Sequence, residues 1–219
     1  MLLIFMRYKN TIKYKVLLGF LSIAILSGCT NAKIDKVEDV TSSEANLSVP
    51  KNNLEKLQQN IMAFDASPVL ESELSKVVEL DENSSFYYIG KDGKRYIFTT
   101  PETYNSWFKG KTEVKKLTLE QIQKIELGGN ITVRPGSLIT TPTAPGAYLV
   151  QKGGTISFVE EKVLKQIFGS NFSARVINLP NYYFTNYKYI DPIESVEEYP
   201  LIDITLTIDQ DKGLDELQK

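Results

Sequence analysis

The chain has no histidine among its 219 residues. That removes the usual general base, the usual centre of a nucleophilic triad and the commonest metal ligand. It has one cysteine, Cys29, so no internal disulfide forms and no cysteine-based zinc site is assembled. A positive surface is missing as well: 25 Lys and Arg stand against 27 Asp and Glu. Binding to phosphates rests on clustered cations, so nucleic acid is excluded as a partner. The apolar run from Val16 to Leu26 is shorter than the ~20 residues that span a hydrocarbon core.

What is present starts with charge asymmetry. Residues 1–28 carry Arg7, Lys9, Lys13 and Lys15 and no acid, which leaves a net charge of −6 from Cys29 onward within the overall −2. A basic stretch, a short apolar core and then small residues is the layout of a secretory signal peptide. The junction Leu26-Ser27-Gly28-Cys29 resembles the lipobox of bacterial lipoproteins. The resemblance implies that Cys29 receives a diacylglyceryl group, and later palmitate-type acylation, with cleavage just before it. Two or more acyl chains give stable anchoring where one is marginal. The expected location is therefore the outer face of a bacterial membrane, in the cell envelope. The competing reading is an uncleaved anchor helix. Met1 to Phe5 are apolar ahead of the charges, and a start at Met6 restores an ordinary basic leader. Thr30 is not the aspartate that in some envelopes holds lipoproteins at the inner membrane.

Residues 29–50 are polar and free of aromatics, the composition of a flexible tether. Within 51–82, Leu54, Leu57, Ile61 and Phe64 recur at three- and four-residue spacing, which predicts a short amphipathic helix. A second short helix is expected from Val69 to Leu80, after Pro68. Residues 83–200 form the expected repeat domain. The segment 201–219 is read as a half-exposed strand, from the alternation between Leu201 and Ile208, followed by a frayed charged tail.

The most informative pattern is an internal repeat. Tyr88 to Phe98 align without gaps to Tyr148 to Phe158, sixty positions later. In each copy an apolar run meets Asp-Gly or Gly-Gly and re-enters an apolar run, the signal of a β-hairpin. Tyr104, Trp107 and Phe108 match Leu164, Ile167 and Phe168 on one face of a helix. Pro101 and Glu102, and Glu160 and Glu161, suit the first helical turn. Short extended segments follow, Val114 to Leu117 and Val176 to Leu179, with a gap of two residues. Between the copies, Gly128 to Gly136 reads as a strand ending in a tight turn, and Ser137 to Thr141 as another strand. The fold class is therefore α+β: two tandem β-hairpin-plus-helix repeats in one small domain, with units at about 86–128 and 147–190.

The run from Tyr88 to Tyr187, about a hundred residues, resembles a tandem module of surface-layer and cell-envelope proteins of bacteria. Its pieces are Tyr88 to Phe98, Thr103-Tyr104 with Trp107, and Leu127 to Thr132 with Arg134-Pro135-Gly136. Tyr148-Leu149-Val150 with Gly153-Gly154 and Phe184 to Tyr187 complete the series. Ser157-Phe158 depart from it, since an arginine and a tryptophan tend to follow the second hairpin. The resemblance implies surface location and architecture, and carries no catalytic role.

Candidate chemistry is sparse. The segment Asn181 to Tyr189 is dense in aromatics. Tyr182, Tyr183, Tyr187 and Tyr189 are candidate partners for glycan rings, with core filling as the alternative. Asp209 to Glu216 resembles a calcium loop, but Lys212 stands where an acid is needed and no Glu closes it. The tip Gly90 to Arg95 lacks the spacing of a phosphate-binding loop. Glu160-Glu161 and Glu197-Glu198 are adjacent rather than facing, unlike a glycosidase pair, and no serine lies in a nucleophile elbow. The expected function is a membrane-anchored, non-catalytic envelope lipoprotein that needs no cofactor or metal and binds cell-wall glycan or an envelope protein. The alternatives are an enzyme built on Asp, Glu, Tyr and Lys, and a purely structural spacer.

Overall fold

The computed structural model describes residues 51–66, 71–74, 76–109 and 114–218. Cys29, the signal segment and most of the tether lie outside them. Helix α1 (Lys51–Ala66) forms where the spacing predicts it and buries Leu57, Ile61 and Phe64. The stretch read as a second helix divides in two: α2 (Glu71–Leu74) is one turn, and Val77–Leu80 is strand β1. The reason lies in two adjacent valines. Val77 and Val78 are both buried, but in clusters on opposite faces of a sheet. Only a strand sends neighbours to opposite faces.

The first repeat continues with β2 (Ser85–Ile89), β3 (Arg95–Phe98), α3 (Pro101–Phe108), β4 (Lys115–Leu117), α4 (Leu119–Gln123) and β5 (Leu127–Ile131). The second comprises β6 (Leu138–Thr141), β7 (Ala144–Gln151), β8 (Thr155–Val159), α5 (Glu161–Phe168), β9 (Val176–Asn178) and β10 (Lys188–Tyr189). A 3-10 helix over Asn181–Asn186 precedes β10. The sheet orders are β4-β1-β2-β3-β5 and β10-β8-β7-β6-β9. These are one topology twice. An antiparallel meander of three strands is flanked by a strand parallel to its first member and a strand parallel to its third.

The register corrects the ungapped alignment by one residue. Val77 pairs with Tyr88 and Leu138 with Leu149; Arg95 pairs with Leu127 and Ile156 with Tyr189. The counterpart of Tyr88 is therefore Leu149, and Tyr148 answers to Tyr87. A one-residue slip moves every side chain to the other face. The slip comes from the glycine doublet. Gly93, Gly153 and Gly154 all have positive φ (74°, 74° and 70°), and matching Gly93 to Gly153 rather than Gly154 shifts the strands.

Each sheet is covered on both faces. On one face α3 packs Trp107, Phe108 and Tyr104 against Val77, Tyr88, Tyr96 and Phe98. On the same face of the second sheet, α5 packs Val163, Leu164 and Ile167 against Leu138, Leu149 and Val159. On the opposite faces Ile122 of α4 and Phe184 of the 3-10 helix fill the same place. The helices start differently. Thr100 caps α3 by accepting from Thr103 N–H with Pro101 next to it, while Glu160 makes no side-chain cap on α5.

The described residues of the C-terminal segment join no sheet, and from Ile208 to Gln218 they form helical turns rather than a frayed tail. Ile202, Ile204, Leu206 and Ile208 turn inward in alternation, Ile202 and Ile204 only partly and Leu206 and Ile208 fully, so the periodicity is real, but no strand pairs with it. Side chains take its backbone groups instead. The Asn60 amide both donates to Ile202 C=O (2.9 Å) and accepts from Ile202 N–H (2.7 Å). Arg134 Nη2 donates to Ile204 C=O at 3.0 Å. The chain then closes on the first repeat through α6 (Ile208–Asp211), with Ile208 and Leu214 in the α3 core. A capping box at Thr207 and Gln210 starts that helix, which local sequence supports.

Candidate functional site

The aromatic run from Asn181 to Tyr189 divides by direction. Phe184 is buried beneath the second sheet, and Tyr187 accepts a hydrogen bond from Val133 N–H at 3.0 Å. Burial pushes the Tyr187 hydroxyl up to about 12. Tyr182 and Tyr189 face outward, 66% and 56% exposed. Tyr183 is half-buried against Tyr182, their ring centroids 4.3 Å apart.

Two rings outside that run join the outward set. Along β8, Ile156 points to the Phe184 cluster, so Phe158, two residues on, shares its face and emerges at its edge. Tyr148 of β7 sits edge-on to Phe158 (5.7 Å), Tyr189 (5.8 Å) and Phe184 (5.5 Å). Such edge-to-face packing holds ring planes fixed while leaving outer faces open. Gly146 makes the arrangement possible: a Cβ there would lie 2.6 Å from the Phe158 ring, and its φ of +115° is one that side chains rarely adopt. Sequence reading did not single out Phe158 and Tyr148, which the ungapped alignment matched to Phe98 and Tyr88, two residues of the first core. The alternation within Thr155–Val159 puts Phe158 on the face of Ile156, and its place at the edge of that face is visible only in the fold.

The buried carboxylates lie away from these rings. Asp209, buried, holds Lys76 Nζ at 2.9 Å and Lys91 N–H at 3.1 Å. Glu73 accepts from Lys76 (2.9 Å) and from the Tyr88 hydroxyl (2.6 Å). Burial works against the Lys76 charge, but its hydrogen bonds to Asp209 and Glu73 outweigh that and raise its pKa. Burial is the larger influence on Tyr88, and with the Glu73 bond it drives that hydroxyl far above its ordinary value. A lysine held protonated and a tyrosine held neutral form a clamp, since neither gives up its proton near neutral pH. The acids of the calcium-like loop are split: Asp209 faces the first repeat, whereas Asp211 accepts from Gly153 N–H of the second at 2.8 Å. Among the described residues no group of three or more Cys, Asp or Glu is gathered to hold a metal ion.

The described helices include none long and apolar enough to cross a membrane. No family model, curated protein or solved structure matches this chain.

Proposed function

We propose that this chain is a membrane-tethered, non-catalytic binding protein of the bacterial cell envelope, and that the outward aromatic face of its second repeat holds glycan. One observation carries the reading. The two repeats share a fold, so whatever the fold requires appears in both. The positions of Tyr182, Phe158 and Tyr189 are taken in the first repeat by Glu120, Ile97 and Leu127. The first repeat folds without rings there, so the rings of the second are surplus to folding. Flat, exposed aromatic rings stack on the apolar faces of sugar rings, and the sequence expectation of an anchor at Cys29 puts them beside cell-wall glycan.

The test is co-sedimentation of the full chain, in a detergent without a sugar headgroup, with purified peptidoglycan sacculi. Wild type pellets with the sacculi, and a Phe158→Ala/Tyr182→Ala/Tyr189→Ala variant with unchanged circular dichroism stays in solution. Equal pelleting of both removes glycan from the reading. The tether is tested separately: palmitate labelling in a lipoprotein-processing host is present in wild type and absent in Cys29→Ser.

A further inference from the structure

A second feature lies away from the aromatic face, where the two repeats and the C-terminal helix meet. It is a cleft lined throughout by polar side chains and glycine. Asn130, at the end of β5, forms one wall. Gly153 and Gly154, at the tip of the second hairpin, and Asn186 form the other. Asp211 and Lys212 of the C-terminal segment complete it. Four separate stretches of the chain thus converge on one polar space.

Its groups are only partly used by the protein. Asn130 Nδ2 donates to Asn186 Oδ1 at 3.0 Å, which leaves the Asn130 oxygen and the Asn186 amino group as one acceptor and one donor. Asp211 is 3% exposed, and among the described residues its carboxylate accepts from Gly153 N–H alone. Lys212 Nζ donates to Asn130 C=O at 2.8 Å and lies 5.1 Å from the Tyr96 ring centre. Asp211 and Lys212 do not pair with each other, although they are neighbours in sequence. A desolvated carboxylate with one donor is costly to keep unless something further is bound there. The wall at Gly153 carries no side chain, and a Cβ there would meet nothing within 4 Å.

We infer that this cleft is a binding site for a neutral polyhydroxylated ligand, a single sugar residue in size. The charge argues for neutrality: one carboxylate and one ammonium cancel, so neither an anion nor a cation is favoured. The donor and acceptor pattern argues for hydroxyl groups. A hydroxyl donates to Asp211 or Asn130 and accepts from Lys212 or Asn186, whereas an anion sets a like charge beside Asp211 and an ammonium ion has no lone pair for Lys212. The bare glycine wall admits a ring edge-on. The site uses none of the outward aromatic residues, so it stands apart from the proposed glycan face.

The experiment is saturation-transfer NMR with titration calorimetry on the full chain, using glucose and N-acetylglucosamine as probes. Inorganic phosphate and ethylammonium serve as charged comparators. A neutral sugar binds wild type. Asp211→Asn, which keeps an acceptor for Gly153 N–H, weakens it about tenfold, the effect of losing one charge-assisted hydrogen bond. Asn130→Ala is the second variant, so the outcome does not depend on how Asp211→Asn folds, and it weakens the sugar as well. Phe158→Ala/Tyr182→Ala/Tyr189→Ala leaves this binding intact. The inference is overturned if phosphate or ethylammonium binds in place of the sugars, if neither sugar binds, or if both cleft variants bind like wild type. Sacculus binding lost only in the aromatic variant, with no monosaccharide response, upholds the glycan face and sinks the cleft. The reverse pattern does the opposite.

Discussion

The first repeat is a closed structure and the second an open one. In the first, both faces of the sheet serve the core: Trp107, Phe108, Tyr104 and Tyr88 fill one side and Ile122 plugs the other. Its polar groups face each other, as in the Glu73–Lys76–Asp209 cluster. In the second, smaller aliphatic residues fill the α5 side, the α1 helix completes that side, and the aromatics have moved to the opposite face and outward. The duplication acts as an internal control. It separates residues that a fold demands from residues that it only tolerates, which a single copy cannot do.

That contrast can be broken or sharpened by mutation, and the largest effect is expected at the tryptophan. Trp107 is fully buried and donates from Nε1 to Thr132 C=O at 2.9 Å, so Trp107→Ala costs about 4 kcal/mol through cavity and lost bond. Its counterpart Ile167→Ala costs about 3 kcal/mol. Urea unfolding monitored by far-ultraviolet circular dichroism ranks the two, and equal losses would weaken the idea that the first repeat carries the tighter core.

Lys76→Met strands two buried carboxylates. The expected loss is about 2 kcal/mol, below that of a fully enclosed pair because Lys76 is 31% exposed. The folded state raises the Lys76 pKa, so its contribution is complete below the ordinary lysine value of about 10.4 and is lost as pH climbs through the folded value. Wild-type and variant stabilities should therefore converge in the alkaline range and stay apart at pH 7. A constant gap up to pH 12 would assign the loss to packing.

Asn60→Ala removes both bonds to Ile202 and leaves its backbone groups to water, at about 1 kcal/mol. Hydrogen exchange shows whether the loosening is confined to 200–206, as expected from a local strap, or spreads into the second repeat. The smallest effect belongs to the exposed rings. Tyr182→Ala and Tyr189→Ala should each change stability by less than about 0.5 kcal/mol. Installing rings on the first repeat, by Glu120→Tyr with Leu127→Tyr, should be equally neutral and should add sacculus binding if aromatic exposure is what matters.

Much of this was legible in the chain. Both hairpins, both repeat helices and the strands after them follow from turn glycines, apolar periodicity and Pro101. The register was not, because two adjacent glycines offer two equally good turn positions and only inter-strand pairing chooses between them. Val77–Leu80 was misread because Leu74, Val77 and Val78 also fit helical spacing. The C-terminal alternation was genuine, but no periodicity reveals that Asn60 and Arg134, far away in sequence, replace a neighbouring strand. The four candidate tyrosines mixed core with surface for the same reason. Tyr187 and Phe184 are fixed by contacts with Val133 and the second sheet, which only the fold creates. Asn130, Asn186 and Asp211 each lay in a run that the sequence singled out for another reason, and nothing in those runs says that the three meet.

Arg134 has a consequence for how the folded chain is held closed. The turn that joins the repeats buries this guanidinium, with Phe64 of the first helix 4.4 Å away on one side and the carbonyl of Ile204 on another. Strand pairing lies within each repeat, whereas the bond from this side chain to Ile204 C=O ties the turn between the repeats to the end of the described chain. The C-terminal segment is thus a latch on the turn that it covers. A chain cut before Ile204 keeps every strand, yet loses the carbonyl that this buried guanidinium bonds and the Asp211 and Lys212 side of the polar cleft.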